Sequence, residues 1–217
     1  CQKVVMPILI EELQLRGLDE QAVHLAHSFE RVMPGNTYLD SIIHFWRVYS
    51  GATIEAADAC EQFLSSIVDV ERYPLTRLSS MTASETAKVM ENTYRAVNIA
   101  LIDEWTKYAE LVGIDLFEVI DAIRIRPTHS NIRYPGLGVG GYCLTKDPAF
   151  APAAVRQLFN QSNLDFPFSQ LAMQVNQEMP THAVDRLESL LNGSFENKSI
   201  LVLGASYRQE VGDTRNS

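Results

Sequence analysis

Between Ser84 and Val112 the apolar residues fall at Met90, Tyr94, Val97, Leu101, Trp105, Tyr108 and Val112, at intervals of three or four. At about 100° per residue these seven share one stripe, which predicts a long amphipathic helix. Thr82-Ala83-Ser84-Glu85 reads as a capping box at its start, and Gly113 as its stop. A stripe on a helix of this length serves an internal core or a partner subunit, and we expect the spine of a homodimer. Glu85, Lys88, Asn92 and Arg95 occupy the opposite face, which turns apolar at Ile99 and Ile102. Polar residues at this spacing usually form a solvated face. A polar set that ends in an apolar patch predicts the wall of a cleft instead.

Upstream, residues 8–16 have helical character and Gly17 is a stop. Residues 22–27 form a short apolar run suited to a buried parallel strand, followed by a loop at 30–36 with Pro-Gly punctuation. Residues 47–51 read as a second strand, and 53–68 as a helix that leaves through Val68-Asp69-Val70. Downstream, a helix over 116–125 stops before Pro127, since a residue preceding proline avoids the α region. Further helices are predicted over 148–158, 168–176 and 181–191, and a strand over 200–204. The order is α/β, then helical, then α/β again.

The chain has 217 residues, 46% of them hydrophobic, enough for one large domain or two small ones. Its formal net charge is −9, with no run of Lys or Arg, so we expect no nucleic-acid or anionic-membrane surface. No apolar run approaches the roughly 20 residues needed to cross a membrane. Cys1, Cys60 and Cys143 are too few and too scattered for a disulfide framework, and no CxxC or His/Cys spacing suggests a metal. A reduced, cytoplasmic protein fits best. The chain opens on Cys1 without an initiator Met and closes soon after a strand-like segment, so we expect an internal piece of a longer protein.

The candidate chemistry lies in Pro135-Gly-Leu-Gly-Val-Gly-Gly-Tyr-Cys-Leu-Thr-Lys-Asp-Pro148. Cys143 follows a run with four glycines, and Asp147 stands four residues on. Glycines let a backbone take up positive φ and leave a neighbouring thiol sterically open. A free cysteine is more often buried and inert, but this context marks Cys143 as a nucleophile. The run is not a dinucleotide fingerprint, which needs a preceding strand, a following helix and G-x-G-x-x-G spacing. No other stretch supplies that motif.

Four segments occur in a telling order: Glu30-Arg-Val-Met-Pro-Gly35; Glu85-Thr-Ala-Lys-Val-Met-Glu-Asn-Thr-Tyr-Arg-Ala-Val-Asn-Ile-Ala100; the loop from Pro135 to Pro148; and Leu203-Gly-Ala-Ser-Tyr-Arg-Gln-Glu-Val-Gly-Asp-Thr-Arg-Asn-Ser217. Together they closely resemble the UDP-glucose/GDP-mannose dehydrogenase family of nucleotide-sugar 6-dehydrogenases. The resemblance spans essentially the whole chain, and the middle two segments are the specific ones. It implies the tail of a Rossmann-like NAD-binding domain over 1–78, an all-helical dimerising domain over 79–180, and the start of a second Rossmann-like domain over 181–217. It also implies oxidation of a sugar C6 alcohol to a carboxylate with NAD as acceptor, through a cysteine thiohemiacetal and thioester.

Under the resemblance Cys143 is the nucleophile, which must attack as thiolate. Lys88 and Asn92, one helical turn apart, would reach a developing oxyanion. Asp147 would orient or deprotonate water, with Glu30 as the second candidate for that task. Lys146 would bind substrate, as would Arg124, Arg126, Tyr134 and the loop glycines Gly138, Gly140 and Gly141. Tyr142 stands where many members have His, Thr145 where Pro is usual, and Arg208 where Lys is common; these bear on sugar identity. Glu30-Arg-Val-Met-Pro-Gly is similar to the UDP-N-acetylhexosamine branch and Gly-Gly-Tyr-Cys to the UDP-glucose branch, with the balance toward the first. Two rivals remain: a non-catalytic dimerisation module, and a redox-sensing thiol, for which no resolving cysteine is visible.

Overall fold

A computed structural model describes residues 1–33, 35–214 and 217. Pro34 of the Pro-Gly punctuation, and Arg215 and Asn216 of the final segment, lie outside the described residues. About half of the chain is helical (52%), with one small sheet, a helix-rich mixed α/β fold. Contacts divide it into two units, residues 1–89 and 90–217.

The first unit opens with α1 (Val5–Leu15), closed by Gly17 in a left-handed conformation. Strands β1 (Ala26–Ser28), β2 (Val48–Gly51) and β3 (Thr76–Arg77) form the sheet in that order. β2 runs parallel to β3 but antiparallel to β1, with Ala26 opposite Gly51 and Ser28 opposite Tyr49. The expected parallel strand at 22–27 is therefore shorter, later in the chain and antiparallel. Glu20–Ala22 instead forms a 3₁₀ turn capped by Asp19, whose carboxylate accepts the Gln21 N–H at 2.9 Å. A short helix, α2 (Tyr38–Ile43), follows the loop. α3 (Ile54–Ser65) starts at Thr53, whose hydroxyl accepts the Ala56 N–H at 3.1 Å. The core here holds Phe29, Tyr49, Ala56, Ala57, Val68 and Met81.

Helix α4 runs unbroken from Met81 to Val112. It begins two residues earlier than a capping box at Thr82 would place it, because Ser80 caps it: the Ser80 hydroxyl accepts the Ala83 N–H at 3.1 Å. Ser84 is fully buried and bonds sideways to Ser50 and His27, both at 2.7 Å. The face of α4 that packs inside its unit is Ala96, Ile102 and Ala109, against Leu116 and Ile120 of α5 (Leu116–Arg124). On the predicted stripe, Met90, Tyr94, Leu101, Trp105, Tyr108 and Val112 are 47–70% exposed, so that stripe is not an internal core.

A 3₁₀ turn over Asp147–Ala149 leads into α6 (Phe150–Gln157). α7 (Pro167–Leu190) is one helix where two were expected, since Pro180 sits inside it without ending it. The strand expected at 200–204 does not form: Leu201, Val202 and Leu203 are almost fully exposed, and no strand among the described residues lies beside them. A strand is held by its partner's ladder, so sequence propensity alone does not produce one.

Candidate functional site

The loop from Pro135 to Lys146 is irregular and owes its course to its glycines. Gly138 (φ +106°) and Gly141 (φ +82°) occupy backbone conformations that L side chains rarely adopt, whereas Gly140 between them does not. A methyl group on Gly141 would also meet the Tyr207 ring at 2.8 Å. Three contacts fix the loop. The Asn176 side chain on α7 accepts the Val139 N–H at 2.7 Å and donates to the Val139 carbonyl at 2.8 Å. The Thr145 hydroxyl donates to the Gly141 carbonyl at 2.8 Å. Beside the loop lies a cleft of about 410 Å³ lined by Tyr142, Thr145, Lys146, Met173, Asn176 and Gln177.

Cys143 is exposed at the end of this loop. Its carbonyl accepts the N–H of Asp147 at 2.9 Å and that of Lys146 at 3.2 Å, so a single turn ties thiol and carboxylate together. Asp147 is 5% exposed, and both of its oxygens are engaged: Lys146 Nζ lies 2.7 Å from Oδ1, and Asn92 Nδ2 donates to Oδ2 at 2.6 Å. Asn92, 3% exposed, reaches Asp147 from α4. The Lys146 ammonium also lies over the rings of Tyr142 and Phe150, at 4.9 and 4.5 Å. A buried carboxylate is tolerated where charge and hydrogen bonds are supplied to it. The arrangement therefore holds an ionisable oxygen acceptor one turn from an open thiol.

In the first unit, Lys88 Nζ donates to the Glu30 carbonyl at 2.9 Å, lies 3.7 Å from Glu30 Oε1, and sits over the Phe29 ring at 5.6 Å. The Glu30 carboxylate accepts the Val32 N–H. Lys88 and Asn92, expected to point together at an oxyanion, thus each hold a carboxylate-bearing residue here. Elsewhere, Arg124 lies over the Tyr134 ring at 4.4 Å, and that ring stacks on Phe117 at 5.6 Å. The Tyr134 hydroxyl bonds to Asp121. Arg126, exposed, heads the Pro127–His129 turn and is outside this cluster.

Two features were not anticipated. Asn176, four residues before Pro180 in a polar stretch of α7, has no motif of its own. The second is a grouping of Cys1, His27 and Glu85, whose ligand atoms lie within 4.8 Å of one another. Positions so far apart in sequence give no metal-spacing signal. The His27 Nδ1 pairs with the Ser84 hydroxyl at 2.7 Å. That nitrogen is already engaged, and we assign no metal to the grouping. Burial holds the His27 imidazole below its ordinary pKa, partly countered by Glu85. No helix among the described residues is long and apolar enough to cross a membrane.

Residues 82–178 match the model of the UDP-glucose/GDP-mannose dehydrogenase family, central domain. A UDP-N-acetyl-D-mannosamine dehydrogenase of Pyrococcus horikoshii is 35% identical over 207 residues, which is 94% of this chain and 46% of that protein. A solved structure of a UDP-D-ManNAc dehydrogenase from Pyrococcus horikoshii superposes with a TM-score of 0.79 at 32% identity, over 97% of this chain and 48% of that one. The UDP-N-acetyl-mannosamine dehydrogenase Cap5O of Staphylococcus aureus superposes at 0.73 and 30% identity, over 99% and 46%. The chain spans about half the length of the relatives it matches.

Proposed function

Because this chain belongs to the UDP-glucose/GDP-mannose dehydrogenase family, we propose that it supplies the thiol-bearing part of an enzyme that oxidises the C6 alcohol of a nucleotide sugar to a carboxylate. The observation that carries the reading is the exposed Cys143 joined by one turn to the buried Asp147. Following the substrates named for the relatives and the Glu30-Arg-Val-Met-Pro-Gly segment, the substrate is a UDP-N-acetylhexosamine rather than UDP-glucose. NAD is the hydride acceptor that the resemblance implies. Its glycine fingerprint is not among these 217 residues, so no residue here is assigned to it.

The roles of the chain's own residues follow from their chemistry. Once the alcohol stands as an aldehyde, the Cys143 thiolate adds to the carbonyl carbon, forming the S–C bond of a thiohemiacetal. Oxidation of that adduct leaves a thioester. Water then adds to the thioester carbon and the C–S bond breaks, returning the thiol and releasing the carboxylate. Asp147 accepts a proton from that water, held in orientation by Asn92 and Lys146. Glu30 is the second group assigned to water, and Lys88 to oxyanion charge. Arg124, Arg126, Tyr134, Lys146 and the loop glycines Gly138, Gly140 and Gly141 are assigned to the substrate. Residues 1–78 would be the tail of the NAD-binding domain, 79–180 the dimerising domain and 181–217 the start of the nucleotide-binding domain, in a cytoplasmic homodimer joined through α4.

The test is NADH release by the full-length enzyme from UDP-N-acetylhexosamines and from UDP-glucose, with Cys143→Ser alongside. The variant should keep its fold and yield no acid; full turnover by it would sink the nucleophile assignment. A second reading, a non-catalytic dimerisation module, draws on the exposed apolar stripe of α4. It requires no turnover from any nucleotide sugar by the wild type.

A further inference from the structure

We infer that Asn176 is the positioning residue of the thiol loop: its side chain holds Val139 in the manner of a strand partner and so fixes where Cys143 stands. The positioning role rests on the catalytic reading of Cys143, but the clamp itself does not. A primary amide offers one acceptor and one donor side by side, the same pair a neighbouring strand would present. Asn176 uses both on one residue, accepting from the Val139 N–H at 2.7 Å and donating to the Val139 carbonyl at 2.8 Å. Both backbone groups of Val139 are thus satisfied by a single side chain, in a stretch with no sheet of its own.

The local backbone explains why the clamp sits here. Gly138, at φ +106°, brings the loop against α7 so closely that a methyl group on it would touch the Asn176 carbonyl and Met179 Cβ at 3.5 Å and Pro180 Cδ at 3.6 Å. Pro180 stands four residues after Asn176 in the helix. Having no N–H, it cannot donate the helical bond to the Asn176 carbonyl, and its ring crowds that carbonyl. The helix carries this irregularity where the loop docks. From Val139 the chain runs four residues to Cys143, with the Thr145 hydroxyl on the Gly141 carbonyl and Tyr207 against Gly141 closing the other side. Cys143 itself has an exposed side chain, so its position is set through its backbone. Displacement of a reacting group by about 1 Å can cost on the order of 100-fold in rate, which is what a clamp of this kind prevents.

The experiment compares Asn176→Ala and Asn176→Asp with wild type in two measurements. The first is hydrogen–deuterium exchange of peptides covering 137–143 in this chain. Loss of both bonds should speed exchange roughly 10-fold in the alanine variant. The aspartate variant, which keeps the acceptor and loses the donor, should fall between. Unchanged exchange in Asn176→Ala overturns the clamp. The second is turnover by the full-length enzyme, where Asn176→Ala should lower kcat by roughly 10- to 100-fold with KM within about 3-fold. Faster exchange with unaltered kcat overturns the positioning role. A fall in kcat tracked by an equal loss of folded protein in thermal melts also overturns it, in favour of a structural role. If wild type oxidises no nucleotide sugar, the catalytic reading has failed, and the exchange result alone decides the clamp.

Discussion

Removing the Asn92 amide offers the sharpest test of how Asp147 is held. The carboxylate is 5% exposed and receives Asn92 Nδ2 at 2.6 Å and Lys146 Nζ at 2.7 Å, one donor per oxygen. Asn92→Ala takes away a hydrogen bond to an acidic group, which contributes about 1.5–3 kcal/mol, and leaves Oδ2 buried without its donor. Lys146 offsets part of this, being partly exposed and able to shift. We expect Asn92→Ala to destabilise the second unit by about 2 kcal/mol. The assay is urea unfolding followed by Trp105 fluorescence in a Trp46→Phe background, since the chain has two tryptophans, one in each unit. A double-mutant cycle with Asp147→Ala isolates the pair and should give a coupling of about 1.5–3 kcal/mol. A coupling below about 0.5 kcal/mol would show that the 2.6 Å contact does not hold the carboxylate, and the account of Asp147 would fall with it.

Burial and the Glu61 carboxylate push the Tyr49 hydroxyl up to about 12. The folded state keeps that proton longer than the unfolded chain does, so stability should be flat below pH 10 and fall by about 2–3 kcal/mol between pH 10 and 12. Tyr49→Phe should flatten the profile, measured by urea unfolding at stepped pH; an unchanged alkaline slope counts against it. Gly141→Ala combines a left-handed backbone with a 2.8 Å approach to Tyr207 and should cost about 1–3 kcal/mol in the same unfolding assay. No loss would mean that Tyr207 does not sit against the loop. Trp105→Glu, on the exposed stripe of α4, should convert a dimer to a monomer in sedimentation velocity; equal masses for the two proteins refute dimerisation through that face.

The helices that repeat every three or four residues could be read from the chain, and α4 could be read almost to its ends. What could not be read was set by partners distant in sequence. Ser84 looked like part of a cap and is instead a buried hub between His27 and Ser50. The short strand at Ala26–Ser28 turned antiparallel because β2 lies beside it in that sense, and hydropathy carries no strand direction. The helices expected over 168–176 and 181–191 are one, because α7 absorbs Pro180. At the candidate site, Cys143, Asp147 and Lys146 were legible because one short motif holds all three. The partnership of Asn92 with Asp147 spans 55 residues, and the grip of Asn176 on Val139 spans 37; neither leaves a local trace.

The turn from Cys143 to Asp147 works as a ruler. Its two ends are joined through backbone atoms, a carbonyl and an N–H, so the spacing survives most changes of side chain at the positions it crosses. It would not survive a change of count. One residue inserted between them would carry the carboxyl group round by about a quarter turn or more and away from both its donors. Sequences descended from this one should therefore drift in spelling across that interval while keeping its length.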